Sequence, residues 1–463
     1  MKLAILGGGG VRMPAFVRAV LSGAGTTFEE ICLYEPDAFR RDTTCRLAVE
    51  LAAALGRDGL VSVTPDVEEA FTGADFVFSA IRVGGDLGRV IDEEVALRRG
   101  LVGQETTGPG GFAMALRTIP VLLDYSATLA RISPGATLIN FTNPAGILTQ
   151  ALSSHARVRS VGVCDTPSST IERLGRFLDA EPGSLAYSYA GLNHLGWISS
   201  FATAGEERLG ELLGRYEDLA RFDHRFAAFD PDLVRLVGAI PTEYVFYYYD
   251  PRRFVDGVAR AGTSRGQDVL RLNEELLGGI ARAFDKGDLQ DAWSTYSMLM
   301  GVRHDTYMRV DTSGESGQDE VRSRRAAAGA PDIGCVGIGG YEGVALQVIE
   351  GLTSGRPREV VVNVRNGSSL GFLEPDDVVE VPALVAAGGV SPLAALAPSR
   401  SARALVTQVK EYERTVVEAA VRGDAGLAEL ALALHPLVPG LSVARDLLAE
   451  YRERHGEHLA YLH

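Results

Sequence analysis

Cys164 and His194 are two side chains about thirty residues apart that could share one ion. The first lies in Val163-Cys164-Asp165-Thr166-Pro167 and the second in Asn193-His194-Leu195-Gly196-Trp197. A thiolate and an imidazole can ligate a divalent cation if the fold brings them together. A thiol at the C-terminal end of a parallel strand also faces the crevice where open α/β sheets bind ligands. Each residue has a plainer reading too, as a buried apolar thiol or a surface histidine. A third signal is the run Ile240-Pro241-Thr242-Glu243-Tyr244-Val245-Phe246-Tyr247-Tyr248-Tyr249, with four tyrosines in its last six residues. Such a cluster usually packs. A tyrosine in it acts as a base only if its pKa is depressed, which a nearby cation can do.

The chain opens on a different chemistry. Gly7-Gly8-Gly9-Gly10 lies between a strand pattern, Lys2–Leu6, and a helical pattern, Arg12–Leu21, with Pro14 in the first helical turn. Glycines there let a backbone approach a pyrophosphate seated on the helix N-terminus. The third glycine of the usual fingerprint is replaced by Met13. Glu35 ends the second strand pattern, where an acid bonds the adenine ribose diol and repels a 2′-phosphate. NAD is therefore expected rather than NADP.

These residues need a frame. Strand patterns at Lys2–Leu6, Ile31–Tyr34, Leu60–Val63, Phe76–Ala80, Thr137–Phe141 and Val158–Cys164, mostly separated by helical ones, predict a doubly wound parallel sheet. Residues 1–165 are thus expected to form a Rossmann-like NAD-binding domain. Residues 166–463 are expected to form a mixed α+β domain, in the order found in lactate and malate dehydrogenases. In that part, Leu185–Leu192, Trp197–Thr203, Val360–Val364 and Val378–Val381 look like strands, with Pro375-Asp376-Asp377 at a turn between the last two. Asp268–Lys286, Arg403–Arg422 and Leu441–His455 look helical, and the charged stretch Asp311–Asp332 looks like a mobile surface loop.

The composition narrows the classes. A hydrophobic share of 46% with 23% charged residues fits a packed globular chain rather than a disordered one. A net charge of -15 gives no electrostatic reason to bind nucleic acid or an anionic membrane, so an anionic substrate must be captured by local arginines. The four cysteines, Cys32, Cys45, Cys164 and Cys335, form no C-x-x-C pair and fit a reducing cytoplasm. Neither a signal peptide nor a membrane span is expected.

Taken together, the motifs resemble the NAD- and metal-dependent glycoside hydrolases of family four. They are the glycine loop, Gly103-Gln104-Glu105-Thr106-Thr107-Gly108, Asn140-Phe141-Thr142-Asn143-Pro144, the Cys164 and His194 segments, the tyrosine cluster, Val362-Asn363-Val364, Asp376-Asp377 and His435-Pro436-Leu437. The resemblance implies redox-assisted elimination instead of the paired-carboxylate scheme. Hydride passes from C3 of the sugar to NAD⁺, the ketone acidifies C2, and a tyrosine takes the C2 proton. The glycosidic oxygen leaves C1, water adds, and the hydride returns. By the same resemblance Cys164 and His194 bind the metal, usually manganese, with sugar oxygens completing the shell. Tyr244 is the base, with Tyr248 second in line, and Asp165 is a candidate acid. Arg89, Asn143 and Glu105 belong with the substrate-binding residues, and Arg265 lies near a sugar phosphate. A homodimer or homotetramer is implied as well.

Asp165 follows the ligand cysteine where members acting on unphosphorylated sugars carry histidine. That leaves 6-phosphoglucosides, and the tyrosine run and the Pro-Asp-Asp segment lean toward the β anomer. Three alternatives remain: a 6-phospho-α-glucosidase, a lactate- or malate-type 2-hydroxyacid dehydrogenase with His194 in its relay, and an NAD-sensing binding protein without catalysis.

Overall fold

The structure is a computed structural model that describes residues 1–22, 28–181, 183–328 and 341–463. Cys335 and residues 329–332 of the expected loop lie outside them. Six parallel strands form the first half of the sheet: β1 (Lys2–Leu6), β2 (Glu30–Tyr34), β3 (Val61–Thr64), β4 (Phe76–Ser79), β5 (Thr137–Asn140) and β6 (Arg159–Gly162). Their spatial order is 6-5-4-1-2-3, so the doubly wound expectation holds. Both faces are covered. On β1, Ala4 and Leu6 enter one apolar cluster and Leu3 and Ile5 another, the period-two division a buried strand makes.

The second half of the sheet is antiparallel. It contains β7 (Leu185–Leu192), β8 (Leu195–Thr203), β9 (Glu206–Glu207), β10 (Ile240–Pro241), β11 (Arg358–Arg365), β12 (Val378–Ala386) and β13 (Gly389–Pro392). The two halves are one sheet: β11 pairs with β6, β12 with β11, and β7 with β12. The parallel and antiparallel halves therefore share one continuous sheet.

The strand order reverses at β1, between β2 and β4. There Gly7 turns the chain at φ +81°, and a Cβ on it would stand 2.7 Å from the Ala80 carbonyl oxygen, so only glycine fits. Helix Met13–Ser22 follows. After β2 a helical turn, Ala38–Arg40, passes through a π turn, Arg41–Cys45, into helix Arg46–Ala54. That turn sets Thr44 so that its hydroxyl donates to Gly9 O at 2.8 Å.

One expectation fails. The stretch after Asp311 is not a surface loop, because Arg309–Ser313 and Gln318–Ala328 are helical. Asp311 itself is buried and accepts a hydrogen bond of 2.7 Å from the Tyr247 hydroxyl. Charge and glycine content suggested solvent here, but the acid is turned inward to a polar cleft.

The hairpin between β7 and β8 depends on close backbone approach. A Cβ on Gly191 would lie 2.1 Å from the Leu195 carbonyl oxygen. Gly191→Ala is therefore expected to lower stability by about 1–3 kcal/mol, the usual cost of forced overpacking. Gly388→Ala, with nothing within 4 Å of the new Cβ, should be near neutral. Equal melting temperatures for the two variants would reject this account.

Candidate active site

A cleft of about 720 Å³ runs along the C-terminal ends of the parallel strands. Its walls include Gly7, Gly10, Glu35, Arg89, Glu105, Asn143, Cys164, Asp165, His194, Tyr244 and Arg265, so eleven of the fourteen site residues expected from sequence line one space, while Tyr248 lines a separate small cavity with His435. Gly8 and Gly9 lie beside it, behind the loop: Cβ atoms there would stand 2.7 Å from Leu33 Cβ and 2.6 Å from a Glu35 carboxylate oxygen. Glu35 accepts from the Gly9 and Asp37 backbone N–H groups at 3.0 Å each. A carboxylate has about four acceptor positions, so capacity for a diol remains.

Cys164 follows β6 and His194 occupies the turn between β7 and β8, in the left-handed region at φ +62°. Cys164 Sγ and His194 Nε2 are 3.6 Å apart. Donors about 2.3 and about 2.1 Å from a common ion, at a tetrahedral angle, would be separated by about this distance. Among the described residues no third Cys, His, Asp or Glu joins them.

The imidazole tautomer follows from its neighbours. Gln104 Oε1 accepts from the Thr106 and Thr107 backbone N–H groups at 2.7 and 2.8 Å, and from the Thr106 hydroxyl at 3.0 Å. The Thr106 hydroxyl proton is thus engaged, so at 2.7 Å its oxygen accepts from His194 Nδ1–H. Nε2 then presents its lone pair toward Cys164, as a metal ligand must. Burial lowers the His194 pKa to about 3 against the pull of Glu105, so the ring is neutral. Burial, together with Glu380 and Asp165, pushes the Cys164 thiol up, against hydrogen bonds from Thr166. A cation at this point would favour the thiolate. The donor set fits a divalent metal.

Tyr244 lies flat against His194, with ring centroids 3.6 Å apart and an interplanar angle of 6°. Burial pushes its phenol well above the ordinary value, while a hydrogen bond from Tyr307 works the other way. Beyond it the cleft is cationic. Arg265 is the first residue of helix Arg265–Asp285, set by a capping box between Ser264 and Gln267. It donates to Thr306 Oγ1 at 3.0 Å and to the Arg303 carbonyl at 2.6 Å. Arg89 is held by Glu93 at 2.8 Å and by Glu105, which Arg82 also meets at 3.2 Å. Burial would raise the Glu105 pKa, but Arg82, Arg89 and Arg303 together bring it well below the usual range.

Residues 2–180 match the model for family 4 glycosyl hydrolases, and residues 189–438 match the model for the family's C-terminal domain. The chain belongs to glycosyl hydrolase family 4. This family 4 enzyme is 28% identical to the 6-phospho-beta-glucosidase BglT of Thermotoga maritima, over 99% of each chain. It is 26% identical to 6-phospho-alpha-glucosidase 1 of Lacticaseibacillus paracasei, over 96% of this chain and 95% of that one. Its fold matches a crystal structure of the 6-phospho-beta glucosidase from Thermotoga maritima with manganese, NAD+ and glucose-6-phosphate. That match has a TM-score of 0.80 and 27% identity and covers 99% of both chains.

Sequence reasoning missed several residues of the family 4 cleft. Arg303 in helix Leu289–Asp305, Tyr307 in the turn that follows it and Asp311 in helix Arg309–Ser313 all line it. Arg303 donates to Asn273 Oδ1 at 2.9 Å, and burial with Arg12, Arg265 and Arg89 nearby lowers its pKa to about 9. Glu243, buried near Arg173 and Arg225, lines the cleft too.

His435, from the His-Pro-Leu motif, packs behind the site against Tyr412 at 4.5 Å, and its Nδ1 accepts from Leu437 N at 3.1 Å. Burial lowers its pKa to about 3. Its neutral ring therefore contributes stability above an unfolded pKa of about 6.5 that is lost as pH falls toward the folded value. The stability gap between wild type and His435→Gln should shrink by about 1.4 kcal/mol per pH unit below about 6.5. Denaturant unfolding at pH 7, 6 and 5 reads this directly, and a constant gap is the contrary result.

Proposed function

We propose that the chain hydrolyses 6-phospho-β-glucosides in a reaction that needs NAD and a divalent cation, manganese in the first instance. The observation that carries this is the placing of the Cys164–His194 pair and the stacked Tyr244 in one cleft with Arg89, Arg265 and Arg303. Both the β- and α-specific relatives support a phosphorylated glucoside. The solved relative with manganese, NAD+ and glucose-6-phosphate supports the cofactors. In this reading residues 1–165 form the NAD-binding part and residues 166–463 the substrate and metal part. The protein works as a cytoplasmic homodimer or homotetramer. The free thiols Cys32, Cys45 and Cys164 fit a reducing compartment.

When bound, NAD supplies a reversible hydride acceptor and the cation a Lewis acid. The chain's own groups do the rest. Gly7, Gly8, Gly9 and Gly10 with the following helix N-terminus take the pyrophosphate, and Glu35 takes the ribose diol. Cys164 and His194 hold the cation. Asn143, Arg89 and Glu105 contact the sugar. Arg265 and Arg303 present planar guanidinium donors to the 6-phosphate. Tyr244 receives the C2 proton at its phenolate oxygen, which the Tyr307 hydroxyl stabilises by donating to it. Asp165 gives a proton to the departing glycosidic oxygen.

A 6-phospho-α-glucosidase is the second reading. Asp165 lines the cleft beside Cys164, where a carboxylic acid can serve an α leaving group. A panel of p-nitrophenyl α- and β-glucosides and galactosides, with and without the 6-phosphate, NAD⁺ and Mn²⁺, separates the two. The β-6-phosphoglucoside should be cleaved fastest and only with both cofactors present. Arg303→Met and Arg265→Met should each lower kcat/KM for that substrate about tenfold to over a hundredfold, and hardly affect the plain glucoside. Equal losses on both substrates would remove the arginines from the phosphate site.

Tyr244→Phe deletes one hydroxyl and should leave the fold intact while hydrolysis falls by about 10²–10⁴-fold, the usual share of a general base. Wild-type hydrolysis in D₂O should place deuterium at C2 of the product. Product without deuterium at C2 would mean that no proton leaves that carbon and that Tyr244 is not its base.

A further inference from the structure

Behind the Cys164–His194 pair lies a carboxylate that the reaction does not use. Glu380 on β12 is 1% exposed. Its Oε2 accepts from the Tyr189 hydroxyl at 2.6 Å, and its Oε1 accepts from Asn193 Nδ2 and Asn363 Nδ2 at 3.0 Å each. Among the described residues it forms no ion pair, although a buried carboxylate is costly without a compensating charge. Burial pushes its pKa up to about 7 against the hydrogen bonds from Tyr189, Asn193 and Asn363, with Asp165 adding to the rise, and its charge in turn pushes the Cys164 thiol up.

The position of Glu380 in the sheet is as telling as its partners. Asn363 and Glu380 are directly opposed on β11 and β12. Asn363 makes the single residue pair joining β11 to β6, with Gly162, and Glu380 makes the single pair joining β12 to β7, with Gly191. One row, Gly162–Asn363–Glu380–Gly191, therefore joins the two halves of the sheet. Cys164 follows Gly162 by two residues and His194 follows Gly191 by three. Asn193, which Glu380 grips, is the residue before His194. Any slip in this row changes the distance between sulfur and imidazole.

We propose that Glu380 is the anionic anchor of the metal centre: it holds the Asn193–His194 turn in register with Cys164 and balances the charge of the divalent cation. It is a positioning residue, and its role rests on the reading of Cys164 and His194 as metal ligands. Outer-shell partners of this kind usually change metal affinity about 10–100-fold when lost.

The test is Mn²⁺ binding to the full chain in the presence of NAD, followed by the electron paramagnetic resonance of free Mn²⁺. Glu380→Gln keeps the shape and removes the charge. Its Mn²⁺ Kd should rise about 10–100-fold, with the NAD Kd within about twofold of wild type as expected for an intact Rossmann half. Asn193→Ala keeps the charge and cuts one tie, and should weaken Mn²⁺ binding in the same direction. If Glu380→Gln does not fold, Asn193→Ala decides. Wild-type Mn²⁺ affinity in folded variants overturns the anchor, as does a parallel loss of NAD affinity. Failure of the wild type itself to bind Mn²⁺ would instead overturn the underlying metal reading.

Discussion

The hydrogen bond of 2.7 Å between Thr106 and His194 Nδ1 ties the two halves of the sheet together at the cleft. Thr106 belongs to the segment that opens helix Gly108–Ile132 in the parallel half, and His194 belongs to a hairpin of the antiparallel half. The bond has a direction because Gln104 has already engaged the threonine proton. From that follow the imidazole tautomer, the lone pair facing Cys164, and the flat surface on which Tyr244 lies. A short segment of ordinary polar residues thereby determines what a histidine and a tyrosine far along the chain can do.

The charges around this centre are arranged in opposition. Glu93 and Glu105 are buried against Arg89, and Arg82 joins Glu105. Arg265 and Arg303 instead hydrogen-bond to neutral oxygens, on Thr306, Asn273 and the Arg303 backbone. Burial opposes the charge of these two guanidinium groups, and neighbouring arginines add to the cost. An anion entering there relieves a cost already present in the fold. This local imbalance gives an anion a physical reason to bind.

Much of this was legible from the residues. The six parallel strands, the glycine turn, the hairpin around His194 and the turn at Asp376 follow from period-two patterns and turn chemistry, which are local properties. That Cys164 and His194 meet is not local: β11 and β12, from far along the chain, stand between β6 and β7 in the sheet. The cleft role of Asp311 was hidden because a charged, glycine-containing stretch looks the same whether it faces water or a polar cavity. Arg303 was hidden because nothing in a helical pattern says which face looks into a cleft, and Tyr307 because it sits in the turn that ends that helix, with no pattern of its own. Glu380 reads as an ordinary charged position in a strand, and only its three donors reveal it.

The cationic end of the cleft belongs to a chain of net charge -15, and this bears on the kinetics of encounter. A diffusing anion meets repulsion from the whole molecule before it feels a few arginines at close range. Mobile ions cut the repulsion off beyond about 8 Å at physiological ionic strength, whereas contacts inside a buried pocket are screened much less. Moderate salt therefore smooths the approach while leaving the final grip intact. In this protein ionic strength acts on the journey to the site, and the fold sets the residence time there.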